Sequence, residues 1–337
     1  MVSMKDIARE CGVSVATVSK ALNDYSDIGK PTREKVRATA ARLGYYPNSS
    51  ARALKTKRSY NLAVLFTDEQ NSGLTHDFYS HVLENFKAEA ERNGYDITFA
   101  TERIATRKTS YLEHCRYRGV DGVLIANIDF YDHSIQELIL SDLPVVTLDH
   151  AFDNRIAIVS DNLKGMKELV DYIYECGHRR IAYIHGADSS VTRARLNGFY
   201  HTMADHQLAV DEAYIREIQY RDVKAAEQQT EELMKLPQPP TCILYPDDLT
   251  CLGGVNKLRA MNLTIGRDVS VAGYDGIFLS QVMDPPFTTV RQDAKQIGTI
   301  AAQKLIDLIE SPKATIIERI VVPAELIRGG SVGRIDG

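Results

Sequence analysis

The sequence predicts an α/β protein in two parts: an all-α helix-turn-helix head, then a two-lobed core of doubly wound parallel sheets. Three observations predict it. Met4 to Leu22 carries small and apolar residues at helical spacing on both sides of Gly12. From Asn61 onward, short apolar runs alternate with amphipathic stretches, the pattern of parallel strands joined by helices. The charge is also split. Residues 1–60 hold six Lys and six Arg against three Asp and two Glu, a net +7, while the remainder carries −12. A basic head on an acidic body suits a chain that holds a polyanion with one end only.

In the head, Ser3 opens a first helix with Asp6 as its capping-box partner, and Ile7 and Ala8 form its inner face. Gly12 stands where the chain must turn sharply, because glycine takes a left-handed backbone without strain. Ser14 caps a second helix with Val18 and Leu22 inward, four residues apart. Its outer face begins Val15, Ala16, Thr17, with Lys20 one turn on; such a face enters a DNA major groove. After the polar loop Asn23 to Asp27, Pro31 lies in the first turn of a third helix, predicted over Thr32 to Leu43. It packs through Val36, Ala40 and Leu43 and ends at Gly44. Residues 49–55 are basic and rich in small side chains, too short for a stable isolated helix.

In the body, Leu62 to Phe66, Tyr95 to Ala100, Val123 to Ala126 and Val145 to Leu148 read as strands. Helices are predicted around Phe78 to Ala90, Lys108 to Arg118 and Ile135 to Leu140. The alternation resumes after Asp161: helix to Cys176, strand Ile181 to Ile184, helix Arg193 to His206, a strand near Ile215 and helix Lys224 to Met234. Strand Thr241 to Leu244, helix Leu249 to Met261 and strand Val269 to Ala272 follow, then helix Lys295 to Ile309 and a strand-like Thr315 to Val322. Ligands of open parallel sheets sit at the carboxyl ends of the strands. The residues there are Thr67-Asp68, Asn127, Asp149-His150, Asp247-Asp248 and Tyr274-Asp275. Carboxylates, amides and rings suit a polyhydroxylated ligand, although a strand-end Asp also commonly caps the next helix.

The head resembles that of the lactose repressor family of bacterial regulators. The matching residues are Lys5-Asp6-Ile7-Ala8, Gly12-Val13-Ser14, Thr17-Val18-Ser19, Thr32-Arg33, Gly44-Tyr45, Pro47-Asn48, Ala51-Arg52 and Leu54. The body resembles that family's periplasmic-binding-protein-like core. It does so through Arg118-Gly119-Val120-Asp121-Gly122, Leu143-Pro144-Val145-Val146, Gly177-His178-Arg179-Arg180-Ile181-Ala182, Asp268-Val269-Ser270-Val271, Gly273-Tyr274-Asp275 and Asp284-Pro285-Pro286-Phe287-Thr288-Thr289-Val290.

The resemblance implies a head at 1–46, a hinge helix or linker at 47–60, a first lobe of 61–160 plus 291–321 and a second of 161–290 plus 322–331. It places DNA contacts on Ser14, Val15, Ala16, Thr17, Ser19, Lys20, Asn23, Tyr45, Asn48, Ala51, Leu54 and Lys55. Leu54 takes the place of the minor-groove wedge, whose unstacking cost is offset by wider contact on bent DNA. It places effector contacts on Phe78, Asn127, Asp149, Asp161, Arg195, Arg221, Asp247 and Asp275. Asp247 stands where asparagine is common and Arg221 where an aromatic is common. An Arg–Asp pair there could bond sugar hydroxyls or neutralise itself, and Arg195 with Arg221 could instead hold an anionic sugar.

Other functions fit less well. There is no apolar run of membrane-spanning length, and the N-terminus has no apolar signal core, so a cytoplasmic protein is expected. Cys11, Cys115, Cys176, Cys242 and Cys251 are odd in number with no metal-type spacing, and read as reduced, buried small hydrophobes. No dinucleotide fingerprint, P-loop or nucleophile elbow is present, and His76, His81 and His185 have no evident catalytic partners. A secreted solute-binding protein would explain two lobes but not the basic head. The expectation is a repressor without cofactors, its hold on a pseudo-palindromic operator switched by a small effector, with a sugar the expected one. An activator, or a corepressor-dependent regulator answering to a nucleobase or an anionic sugar, is the alternative. Residues 331–337 have no leucine heptad, so a homodimer is expected.

Overall fold

A computed structural model describes residues 2–23, 25–46, 58–67 and 73–335. The chain divides into two compact units at Ser59/Tyr60. Asn48, Ala51, Leu54, Lys55 and Asp68 lie outside the described residues.

The head is three helices: α1 (Met4–Cys11), α2 (Val15–Leu22) and α3 (Lys30–Leu43). The Asp6 carboxylate takes the backbone N–H and the hydroxyl of Ser3, closing the first turn of α1. Gly12 turns the chain at φ +67°, and the Ser14 hydroxyl accepts the Thr17 N–H at 3.0 Å to start α2. The helices meet on Ile7, Ala8, Cys11, Val18, Ala21, Val36 and Ala40. Leu22 and Leu43 lie at the edge of this cluster. The buried second-helix pair is therefore Val18 with Ala21, one step short of the expected Val18 with Leu22. The small Ala21 lets α2 approach its neighbours closely.

The body runs β1 (Asn61–Phe66), α4 (Asp77–Arg92), β2 (Asp96–Phe99), β3 (Arg103–Ile104), β4 (Arg107–Lys108), α5 (Tyr111–Arg118), β5 (Gly122–Asn127), α6 (His133–Leu140), β6 (Val145–Leu148) and β7 (Ile156–Ser160). It continues through α7 (Asn162–Glu175), β8 (Ile181–His185), α8 (Ser190–Asp205), β9 (Ile215–Glu217), α9 (Val223–Met234), β10 (Cys242–Leu244), α10 (Asp248–Ala260), β11 (Ser270–Asp275) and α11 (Phe278–Val282). Last come β12 (Thr288–Gln292), α12 (Ala294–Glu310), β13 (Arg319–Val322) and β14 (Ala324–Ile327). The first six-stranded sheet has the order β13-β7-β6-β5-β1-β2, the second β14-β12-β11-β10-β8-β9. The chain passes from first to second sheet after β7, back after β12, and over again between β13 and β14. Asp161 and Asp293 cap the helices that follow the first two passages.

Alternation along each central strand covers both faces of its sheet. Leu62 and Val64 join Phe86, Leu305 and their neighbours on one side, while Ala63 and Leu65 join Leu112 and Ile135 on the other. In the second sheet Ile181 and Tyr183 face α7 and α8, and Ala182 and Ile184 face α9 and α10. Gly298 lets α12 lie against α4: a β-carbon there would fall 2.2 Å from the Val82 carbonyl oxygen.

Several expected elements change. The helix predicted from Lys108 starts at Tyr111, because Ser110 and Glu113 form a capping box and residues 103–108 pair as a short hairpin. β7, α11, β12 and β14 were not expected. β14 pairs antiparallel with β12, so the second sheet is parallel except at that edge. The five cysteines are free and buried, and burial pushes the Cys115 thiol up to about 11. Among the described residues no helix is long and apolar enough to cross a membrane, and no cluster of three or more His, Cys, Asp or Glu could hold a metal ion.

Candidate functional site

The head leaves one face of α2 accessible. Val15 is 41% exposed, Ala16 is exposed, and Thr17, Ser19 and Lys20 are half-buried. The Lys20 ammonium is paired with Asp27 in the following loop, which holds its pKa above the ordinary value. A lysine reading a base must first give up that ion pair. The Asn23 amide donates to the Ser19 carbonyl at 2.7 Å and so closes the C-terminus of α2. Tyr45 packs on the head core, while Tyr46, not expected as a contact, is 87% exposed.

In the body the strand ends bring most of the expected residues together. Asp149 follows β6 at φ 61°, and Tyr79 on α4 donates its hydroxyl to Asp149 Oδ2 at 2.8 Å. Burial, then the negative charge of Asp149, pushes the Tyr79 phenol well above its usual range; Asp275 and Tyr220 of the second lobe add to this. Tyr79 therefore lies within electrostatic reach of the opposite lobe. Phe78 is buried in the first-lobe core, ring to ring with Tyr79 at 5.1 Å. It backs the ring that reaches Asp149. Asn127 ends β5, and its carbonyl accepts the Thr67 N–H at 2.8 Å.

On the second lobe Arg195 projects from α8 and is buried. Its Nε donates to Asn162 Oδ1 at 2.8 Å, and Nη1 donates to the Pro246 carbonyl at 2.7 Å. Nη2 lies 3.7 Å from Asp275 Oδ1, and the guanidinium stacks 3.5 Å above the Tyr274 ring. Asp275 ends β11 at φ 96° and accepts Gln292 Nε2 at 2.7 Å. Burial pushes its carboxyl up to about 6, against the lowering pull of Arg195, with Asp247 and Asp149 acting as like charges.

Asp247 caps α10: Oδ1 accepts the Thr250 N–H at 2.8 Å and Oδ2 the Arg221 backbone N–H at 2.9 Å. The expected Arg–Asp pair is thus joined through the main chain. Asp161 caps α7 by accepting the Lys164 N–H at 3.1 Å. Beneath them Asp248 is fully buried, accepts the Ile277 N–H at 2.9 Å, and is pushed well above the carboxylate range by burial. The rim joins the lobes directly. Ser190 at the start of α8 donates to the Asp149 carbonyl at 2.8 Å and meets His150 Nδ1 at 3.2 Å.

Tyr79, Tyr220, Gln292 and Ser190 were missed by the sequence reading, whereas Tyr274 stands among the strand-end residues it named. Tyr220 adjoins the expected Arg221, which is a signal that could have found it; Tyr79 and Ser190 carry none. The three histidines turn to local backbone: His76 Nδ1 takes the Tyr79 N–H, His81 Nδ1 meets the Asp77 carbonyl, and His185 Nδ1 meets the Gly186 carbonyl.

A helix-turn-helix head followed by two α/β lobes that meet through polar side chains defines the class of a DNA-binding regulator. Residues 3–48 match the family described as bacterial regulatory proteins, lacI family, and residues 170–332 match the periplasmic binding protein-like domain. The chain is 30% identical over 338 residues to the probable HTH-type transcriptional repressor ExuR of Bacillus subtilis, covering 99% of each chain. It is 28% identical to the HTH-type transcriptional repressor CytR of Escherichia coli, covering 98% of this chain and 96% of that one. The lac repressor dimer bound to operator and the anti-inducer ONPF superposes with a TM-score of 0.82 at 26% identity, over 98% of each chain. The chain belongs to the lacI family: it is a DNA-binding transcriptional regulator and not an enzyme.

Proposed function

We propose that the protein is a cytoplasmic, homodimeric repressor without a cofactor, whose two heads hold a pseudo-palindromic operator until a small polyhydroxylated effector, a sugar, enters the body. The observation that carries the effector reading is the convergence of Asp149 and Tyr79 from one lobe with Arg195 and Asp275 from the other. A ligand bonding both sides has a different affinity for open and closed lobes, and that difference is what couples binding to the heads. The repressor names of the curated relatives, and a related solved dimer on operator, support repression and the dimer. In the head, Ser14, Val15, Ala16, Thr17, Ser19 and Lys20 meet the major groove, with Asn23 and Tyr45 beside them. Asn48, Ala51, Leu54 and Lys55 form the minor-groove hinge. In the body the ligand meets Asn127, Asp149, Arg195, Arg221, Asp247 and Asp275, with Phe78 and Asp161 supporting their elements.

The test is selection of genomic fragments by the full chain, followed by gel-shift titration against a carbohydrate panel. One sugar should release a selected pseudo-palindrome. Binding with no preference among fragments would refute the regulator's specificity. Release by none of the panel would refute the sugar.

A further inference from the structure

Resting on the reading of Asp275 as an effector contact, we propose that Asp248 is its positioning residue. Buried between α10 and the end of β11, it clamps the turn 275–277 and so fixes where Asp275 presents its carboxyl. That turn does not hold itself. Asp275 and Gly276 stand at φ 96° and 68°, and a residue with a β-carbon keeps such a φ only where its surroundings impose it. Gln292 and Arg195 hold the Asp275 side chain. The main chain is held separately: the Thr289 hydroxyl accepts the Gly276 N–H at 3.3 Å, and Asp248 Oδ2 accepts the Ile277 N–H at 2.9 Å.

Asp248 is the first residue of α10, where an acid ordinarily lies in solvent at the positive end of the helix. Here it is fully buried, and β11 makes room for it: a β-carbon on Gly273 would fall 2.1 Å from Asp248 Oδ1. Arg195, the buried cation nearby, reaches Asp275 instead. Oδ1 makes no hydrogen bond of good geometry, the Thr289 hydroxyl only approaching the carboxyl. The titratable groups around Asp248 are Asp275, Asp247 and the Cys251 thiol, none of them a cation. Burial pushes its carboxyl well above the ordinary range, and the two acids push it further, so Asp248 keeps its proton at neutral pH. A neutral acid still accepts the Ile277 N–H through its carbonyl oxygen and brings no repulsion to Asp275.

The titration of Asp275 tests this on the full chain without any ligand. The groups that face Asp275 are Arg195, Asp149, Asp247 and Asp248, with the phenols of Tyr79, Tyr220 and Tyr274. The stability gap between Asp275→Asn and its parent, followed by calorimetry across pH, gives the midpoint, about 6 in the wild-type background. Asp248→Asn imitates the neutral acid and should leave that midpoint within about 0.3 pH unit. Asp248→Ala frees the Ile277 N–H, lets Asp275 turn toward solvent and should lower the midpoint by about one unit or more. Should Asp248→Ala not fold, Asp248→Ser is read in the same way, its hydroxyl being one bond too short for the Ile277 N–H. Operator release by the carbohydrate panel should follow the same order: the wild-type response in Asp248→Asn, and one weaker by roughly tenfold in Asp248→Ala. A midpoint that falls by about a unit in Asp248→Asn shows an ionised Asp248, and an unchanged one in Asp248→Ala shows that Asp248 does not place Asp275. Either result overturns the inference. A panel that never releases the wild-type protein counts against the effector reading alone, because the midpoints are measured without ligand.

Discussion

Asp275 offers a direct measurement of what the cleft costs the fold. Its carboxyl is raised from an ordinary 3.8 to about 6, chiefly because it is buried, and despite Arg195 beside it. A folded pKa above the unfolded one means that the unfolded chain ionises first as pH rises. The stability held by the protonated acid is complete below about pH 4 and is lost as pH rises through about 6. Roughly two pH units at about 1.4 kcal/mol each amount to about 3 kcal/mol. Asp275→Asn imitates the neutral acid and keeps an oxygen for Gln292. The variant should therefore match the wild type near pH 4 and exceed it by about 3 kcal/mol near pH 8, or about 5 °C in the melting temperature of the body. Calorimetry of both proteins across that range reads the difference, and the other buried acids are common to both. A variant that melts below the wild type near pH 8 would show that attraction to Arg195 outweighs burial, and would refute the reasoning.

Four further expectations follow from the same geometry. Tyr79→Phe removes the hydroxyl that Asp149 accepts; the effector should bind about ten- to a hundredfold more weakly by calorimetry, as for a hydrogen bond to a charged group, with operator affinity unchanged. Lys20→Ala should cost about 1–3 kcal/mol on the operator and much less on random DNA by gel shift, whereas equal losses would make Lys20 a phosphate contact. Ile7→Ala empties the centre of a small three-helix core at a cost of about 2–5 kcal/mol, so operator binding should vanish while ligand calorimetry on the body is unchanged. Leu54→Ala should weaken operator binding and reduce DNA bending without altering the outer half-site preference, and wild-type bending would reduce residues 47–58 to a linker.

The head was legible because its signals are local. A cap, a glycine turn and a four-residue spacing each act within one turn of helix, and Ser14, Gly12 and Val18 stand as the spacing predicts. The sheet alternation was legible for the same reason, since the central strands are apolar on both faces. β7 was passed over although Ile156 to Ser160 is wholly buried, because it follows β6 with a short polar turn and no helix between. β14 was passed over because it is short and alternates only weakly, as an edge strand does.

The cleft was half legible, and backbone strain shows which half. A strand-end aspartate reads the same in sequence whether it caps a helix or faces a ligand. Asp161 and Asp247 are caps with ordinary negative φ, and their oxygens serve the first turns of α7 and α10. Asp149, Arg221 and Asp275 have φ of 61°, 63° and 96°, a region that residues with a β-carbon rarely occupy. None of the three heads a helix, and a chain selected for stability alone would put glycine or a relaxed turn there. Each such residue costs about 1–3 kcal/mol, and surrounding contacts must hold it in place. Tyr79 and the chain beyond β6 hold Asp149, the Asp247 carboxylate holds the Arg221 N–H, and Gln292 with Arg195 holds Asp275. The caps therefore do double duty: Asp247 both starts α10 and fixes the strained turn that presents Arg221. Strain, raised carboxyl pKa and inter-lobe convergence coincide on Asp149 and Asp275. At those two positions stability is given up where polar groups of both lobes meet, which is what the proposed effector site requires.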